Sequence, residues 1–170
     1  MKRAILSAVA VVMMSLAFRA EAATWNPFQS EGRVKAHTII LTGNYLQSRI
    51  LAELAQYYKK QPVLLISPDS EGASQVYYMP NGTEAKNIPA EEFMDLVNHI
   101  APKRIIVLGG TDYVPKSFVD QVKAKYSVIS LDSADWSKNA AALGEIFEEK
   151  KLKSKFDEYV RAARSNNEAE

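Results

Sequence analysis

Between Lys103 and Asp112 the chain reads K-R-I-I-V-L-G-G-T-D, and no other stretch narrows the choice of fold as much. Arg104 to Leu108 is an apolar run with one charge at its start. That is the pattern of a strand buried on both faces, which belongs in a parallel sheet covered by helices. Gly109-Gly110 ends the run, where the backbone can turn with φ > 0 at no steric cost. Thr111 and Asp112 follow, and Pro115 opens a helical pattern through Phe118, Val119 and Val122. Strand, glycine turn and helix make half of a βαβ unit, and open α/β sheets bind ligands at that carboxyl edge.

The flanking sequence repeats the theme. Thr38–Leu41 is a short β-rich run followed by Thr42-Gly43-Asn44, with Asn44 a suitable N-cap. A helix is expected over Tyr45–Lys59, with Leu46, Ile50, Leu54 and Tyr57/Tyr58 on one face. Val63–Ile66 is a second buried run, and the crossover between the two should be right-handed. Ser67–Pro89 breaks the pattern with turn chemistry, a short strand near Val76–Met79 and a strong turn at Pro80–Thr83. A small hairpin or excursion is expected there, on the same edge of the sheet as the glycine turn; Asn81-Gly82-Thr83 also fits a glycosylation sequon and is read as a turn. Pro89, Glu91 and Glu92 start a helix whose stripe is Phe93, Leu96, Val97 and Ile100. A fourth strand, Ser127–Leu131, leads through Asp132–Asp135 to a helix from Trp136 to about Glu149. Lys150–Glu170 is highly charged, yet Leu152, Phe156, Tyr159, Val160 and Ala163 form one apolar stripe, ending in a frayed tail after Arg164.

The first residues read as an address. Lys2 and Arg3 precede the apolar run Ala4–Phe18, and Ala20-Glu21-Ala22 is a small-x-small cleavage site, so residues 1–22 are expected to be a secretory signal. The alternative is a membrane anchor, but Arg19 ends the run too early to span a bilayer comfortably. Residues 23–37 then form a mature N-terminal arm carrying Trp25 and Phe28. The full chain has 21 basic and 20 acidic side chains. The leader takes three basic and one acidic with it, which leaves a mature charge of −1. Such a chain does not hold nucleic acid by bulk electrostatics. The absence of cysteine removes disulfides and thiolate chemistry. The expected location is the periplasm or the cell surface.

Enzyme templates find little support. His37 lies before the first strand and His99 near the end of a helix, away from the edge where a parallel sheet presents reacting groups. There is no G-x-S-x-G elbow, metal-binding histidine pair or Walker-type loop. No cofactor and no metal are called for. What remains is a ring of carboxyl-edge loops. It collects Thr42, Gly43 and Asn44, then Ser67, Asp69 and Ser70. Gly109, Gly110, Thr111 and Asp112 join from the third strand, and Asp132, Ser133, Asp135 and Trp136 from the fourth. Hydroxyls, glycine amides and helix N-termini suit an anionic or sugar-like group. The same residues also serve as ordinary caps and turns.

With these residues placed, the chain resembles one module of the bacterial cell wall-binding repeat type 2 family over about Thr38 to Phe147. Lys103–Val122 is similar to the family's hydrophobic strand, G-G-T/E, spacer, valine and amphipathic helix. Ile39–Gly43 resembles its first strand and small-residue turn, and Pro62–Pro68 (P-V-L-L-I-S-P) resembles its P-I-L-L-T-P segment. Two family motifs are weakened. Leu46-Gln47-Ser48-Arg49 stands where the family has a P-D-A-L-like run, and of the D-R-Y-E-T-A-like motif only Asp135 and Ala140 match. The architecture is also similar to Toprim domains, but the glutamate and D-x-D that those need are missing.

The expected fold is a three-layer α/β domain over residues 38–149. Its sheet is mainly parallel, four-stranded and Rossmann-like (flavodoxin- or Toprim-like), ordered 2-1-3-4, with helices on both faces. The resemblance implies a non-catalytic envelope module that binds an anionic or glycan cell-wall polymer. The alternatives are a periplasmic enzyme acting on a small phosphorylated or sugar substrate at the same edge, and a protein-interaction domain. Family modules pack as trimers, while this chain holds one copy. The stripe on the last helix can dock internally without loss of translational freedom, so a monomer is expected, with a homotrimer as the alternative.

Overall fold

The computed structural model describes residues 36–68, 74–80 and 85–167. The expected signal, residues 1–22, lies outside this range, as do almost all of the N-terminal arm, the loop with Asp69 and Ser70, and the turn at 81–83. The elements run β1 (Thr38–Gly43), α1 (Leu46–Lys59), β2 (Val63–Pro68), β3 (Ser74–Met79), β4 (Lys86–Ile88), α2 (Phe93–Ile100), β5 (Arg104–Leu108), α3 (Lys116–Lys123), β6 (Ser127–Leu131), α4 (Trp136–Ile146) and α5 (Leu152–Asn167).

The sheet corrects the expectation of four mainly parallel strands. It has six strands in the order β4-β3-β2-β1-β5-β6 and is mixed. β2, β1, β5 and β6 pair in parallel, with Ile40 opposite Val63 and Ile106, and Ile106 opposite Ile129. β3 and β4 add antiparallel, Ile66 facing Val76 and Val76 facing Ile88. Physical reach explains the addition. Only residues 69–73 separate β2 from β3, and a parallel return needs a crossover of a dozen or more residues. The hairpin therefore extends the sheet instead of leaving it. β4 ends the sheet as a three-residue strand, with Lys86 half-buried and Asn87 exposed, a short polar edge of the kind that limits further pairing.

Alternate residues of each strand feed two cores. Ile39, Leu41, Leu64, Ile66, Ile105 and Val107 point to one face, covered by α2 and α3 through Phe93, Leu96, Phe118 and Val122. Ile40, Val63, Leu65, Ile106 and Leu108 point to the other, covered by α1, α4 and α5 through Leu51, Leu143 and Phe156. Phe93 and Phe118 meet edge to face, 4.9 Å between ring centres. Helices on both faces make three layers.

Three local features depart from simple pattern reading. Asn44 is not the cap of α1; Tyr45 holds that position with extended backbone. The first turn is closed by the Ser48 hydroxyl, which accepts from the Tyr45 amide at 3.3 Å and donates to the Gly43 carbonyl at 2.6 Å. The fully buried face of α1 is Ser48, Leu51, Ala52, Ala55 and Gln56, while Ile50, Leu54 and Tyr58 of the expected stripe pack half-buried at its margin. Leu46 and Tyr57 remain 49 % and 68 % exposed. Small residues let the helix approach the sheet, and Gln56 is satisfied by donating to the Met79 carbonyl at 2.7 Å. Finally, α1 and α2 end on Lys60 (φ 54°) and Ala101 (φ 50°), and Glu148 (φ 53°) follows α4, all in the left-handed region without the glycine usually found there.

α5 packs into the domain. Leu152, Phe156 and Val160 are buried against the core that α1 and α4 also cover, whereas Tyr159 is 53 % exposed. Lys153–Asp157 and Lys155–Glu158 pairs lace its outer surface. Among the described residues no helix is long and apolar enough to cross a membrane.

Candidate functional site

The carboxyl ends of β1, β2, β5 and β6 carry the predicted residues, and the fold gives several of them packing duties. Thr42 is fully buried and its hydroxyl donates to the Leu108 carbonyl at 3.0 Å, tying β1 to β5. Gly43 is also buried; a Cβ there would collide with the Tyr113 carbonyl oxygen and stand 2.8 Å from the Tyr45 ring. The Asn44 amide donates to the Ile66 carbonyl at 2.8 Å. Ser67 is half-buried in β2, opposite Gln75.

The glycine pair has a similar explanation. Gly109 (φ 86°) and Gly110 (φ 61°) both turn through the left-handed region. A Cβ on Gly109 would fall 2.5 Å from the Tyr113 ring, and one on Gly110 would fall 3.0 Å from Cβ of Asp132. Tyr113 therefore lies over the turn, where β1 and β5 diverge. Its ring meets Tyr45 edge to face at 5.2 Å and Trp136 at 4.8 Å, and the Trp136 indole N–H donates to the Tyr113 hydroxyl at 3.0 Å. This aromatic bridge fills the crevice between the two strand ends. Thr111 and Asp112 project beside it and are exposed.

The loop after β6 is held from beneath by Asn139, which is 2 % exposed. Its side chain accepts from the Ser133 amide at 3.0 Å and donates to the Ser133 carbonyl at 2.8 Å. That clamp presents Asp132 and Asp135, both exposed. Asp135 caps α4 by accepting from the Ser137 amide at 3.0 Å, so its charge also favours the positive end of the helix dipole.

Open volume lies next to this bridge. A cleft of about 520 Å³ is lined by Gln47 from α1, by Asp135, Trp136 and Ser137 from the start of α4, and by Arg161 and Arg164 from α5. Its carboxylates already have partners. Asp157 accepts from the Ser137 hydroxyl at 2.6 Å and from Lys153 at 2.7 Å. Those bonds, Lys153 first and Ser137 second, hold its carboxyl below the usual carboxylate range. Arg161 donates to the Asp157 backbone carbonyl at 3.2 Å, and both arginine side chains are exposed. The cleft thus holds two guanidinium groups, whose planar donor forks suit phosphate and carboxylate, and two carboxylates, Asp135 and Asp157.

Of the residues expected from sequence, only Asp135 and Trp136 line this cleft. Thr42, Gly43, Gly109 and Gly110 serve the turn and the strand packing, and Asp132 and Asn44 flank it. Sequence reasoning missed Gln47, Arg161, Arg164 and the covering role of Tyr113. The available signal was the i, i+3 spacing of the two arginines on a helix whose apolar stripe had already fixed its orientation. Among the described residues, no cluster of three or more His, Asp or Glu side chains could hold a metal. Compared with models of known families, with curated proteins and with solved structures, the chain matches none.

Proposed function

We propose that the chain is an exported, envelope-associated module that binds an anionic or glycan cell-wall polymer without transforming it. The observation that carries this reading is the cleft beside the carboxyl edge, where Arg161 and Arg164 face Gln47 and the first turn of α4. Two guanidinium groups beside Gln47 and Ser137, in a cleft that Asp135 and Asp157 also line, suit a glycan that carries phosphate or carboxylate groups as well as hydroxyls. The parallel order β2-β1-β5-β6 supports a Rossmann-like layout, and the cleft lies beside its carboxyl edge, next to the crevice that Tyr113 fills. The resemblance of Lys103–Val122 to wall-binding repeats, and the signal-like first 22 residues, support the location. A near-neutral chain gives no basis for nucleic acid as partner.

The test is retention on purified wall fractions. The protein should be retained at low salt and released as salt rises, and Arg161→Ala with Arg164→Ala should abolish retention while the melting temperature stays unchanged. No retention of the parent protein at low salt refutes the reading. Turnover of a phosphorylated or sugar substrate at this edge would replace it with an enzymatic one.

A further inference from the structure

The sheet ends differently on its two sides. β4 is three residues long with polar side chains at its edge. β6 is five residues, Ser-Val-Ile-Ser-Leu, with no charge and no proline, and Val128, Ile129 and Leu131 are only half-buried. Among the described residues it pairs with β5 alone. Edge strands are usually blunted by lysine, proline, bulges or a covering segment, because their free amides and carbonyls accept another strand. We propose that β6 is a pairing edge for a second copy of this chain, joined about a two-fold axis through Ile129.

The backbone directions are compatible with this register. The Gly109 amide donates to the Leu131 carbonyl at 2.8 Å, so Leu131 turns its polar groups inward to β5. Directions alternate along a strand, so Ser127 and Ile129 also face inward while Val128 and Ser130 present their amides and carbonyls outward. Antiparallel pairing centred on Ile129 places Val128 of one copy opposite Ser130 of the other, as a hydrogen-bonded pair on each side of the axis. Ile129 then meets its own counterpart as the close, non-hydrogen-bonded pair.

Charge favours antiparallel over parallel pairing. Lys125 lies two residues before the strand and Asp132 directly after it. Both are exposed, and antiparallel self-pairing about Ile129 puts Lys125 opposite Ser133 of the other copy, one residue from that copy's Asp132. Parallel pairing would instead place like charges together. Lys125 also reaches Asn98 at 2.7 Å, which holds its position at the edge. This surface is separate from the α5 stripe, of which Leu152, Phe156 and Val160 are buried within the domain. A two-fold edge contact closes on itself, as most homo-oligomers do.

Single-cysteine cross-linking tests this directly, because the chain has no cysteine of its own. Directly opposed residues of such a pair fall within disulfide reach. Full-length Ile129→Cys should form a disulfide-linked dimer under mild oxidation, while Lys150→Cys, exposed and away from the edge, should not. Ser130→Pro removes an outward amide and leaves the bonds to β5 in place, so it should abolish the dimer seen by sedimentation at high concentration. Should Ser130→Pro fail to fold, Ser130→Lys replaces it. Failure of Ile129→Cys to link, equal linking by both cysteines, or a dimer indifferent to a folded position-130 variant would each overturn the proposal.

Discussion

Phe156 and Tyr159 are neighbours of similar size on one helix, and the structure assigns them opposite fates. Phe156 is 2 % exposed and packs in the core beneath α1 and α4, while Tyr159 is 53 % exposed. Truncating Phe156 to alanine removes the transfer free energy of a buried ring and leaves a cavity that the close-packed Leu152 and Val160 neighbourhood cannot collapse. Phenylalanine-to-alanine changes of this kind cost about 3–5 kcal/mol, a large part of the roughly 5–15 kcal/mol that holds a domain together. At about 2–4 °C per kcal/mol for a chain of this size, the melting temperature should fall by ~6–20 °C. Tyr159→Ala should stay within about 0.5 kcal/mol of the parent. Urea titration with circular dichroism, read at unchanged m-value, measures both. Near-equal losses, or a loss below about 1 kcal/mol for Phe156→Ala against its expected 3–5, would show that α5 is not part of the core.

Other substitutions probe the carboxyl edge. Gly109→Ala should cost about 2 kcal/mol or more, from left-handed strain of roughly 1–2 and a collision with the Tyr113 ring; a melt equal to the parent would contradict the turn geometry. Asn139→Ala should cost about 1–2 kcal/mol by stripping partners from the half-buried amide and carbonyl of Ser133, and hydrogen exchange at Ser133 should accelerate, whereas unchanged protection would count against the clamp. Asp157 predicts a pH effect with a defined sign. Its carboxyl is held below the ordinary value of 3.8 in the folded state, so its contribution is complete above that value and is lost as pH falls through the lower folded one. Asp157→Asn should therefore flatten the acid limb of the stability profile below pH 3.8; an identical acid limb in both proteins would remove Asp157 from the account.

Local periodicity carried most of the element positions. The runs Thr38–Leu41, Val63–Ile66, Arg104–Leu108 and Ser127–Leu131 lie within strands because apolar runs bounded by proline or glycine are short-range signals. The stripes of α2 and α3 point inward for the same reason. In α1 the larger side chains mislead. Leu46 and Tyr57 give the stronger apolar signal, yet Ala52 and Ala55 permit close approach to the sheet. Which face wins depends on contacts distant in sequence. β3 and β4 were legible as a hairpin, but their joining β2 depends on an available sheet edge, which no local pattern contains. The glycine pair announced a turn; that Tyr113 would cover it, and that Arg161 would come beside Trp136 from a separate helix, follow only from the assembled layers.

The left-handed residues that follow three helices have an evolutionary consequence. Lys60, Ala101 and Glu148 each hold a conformation, with φ of 50–54°, that costs an L-residue about 1–2 kcal/mol. Glycine would relieve that strain at an unfolded-state entropy cost of about 0.4–1 kcal/mol, for a net gain of roughly 0–1.6 kcal/mol at each site. The chain thus keeps a small reserve of stability, reachable by single substitutions at positions remote from the cleft and from β6. Such a reserve can absorb the cost of new side chains at Gln47, Ser137, Arg161 or Arg164. A scaffold of this kind can change what its cleft recognises before it must change how it folds.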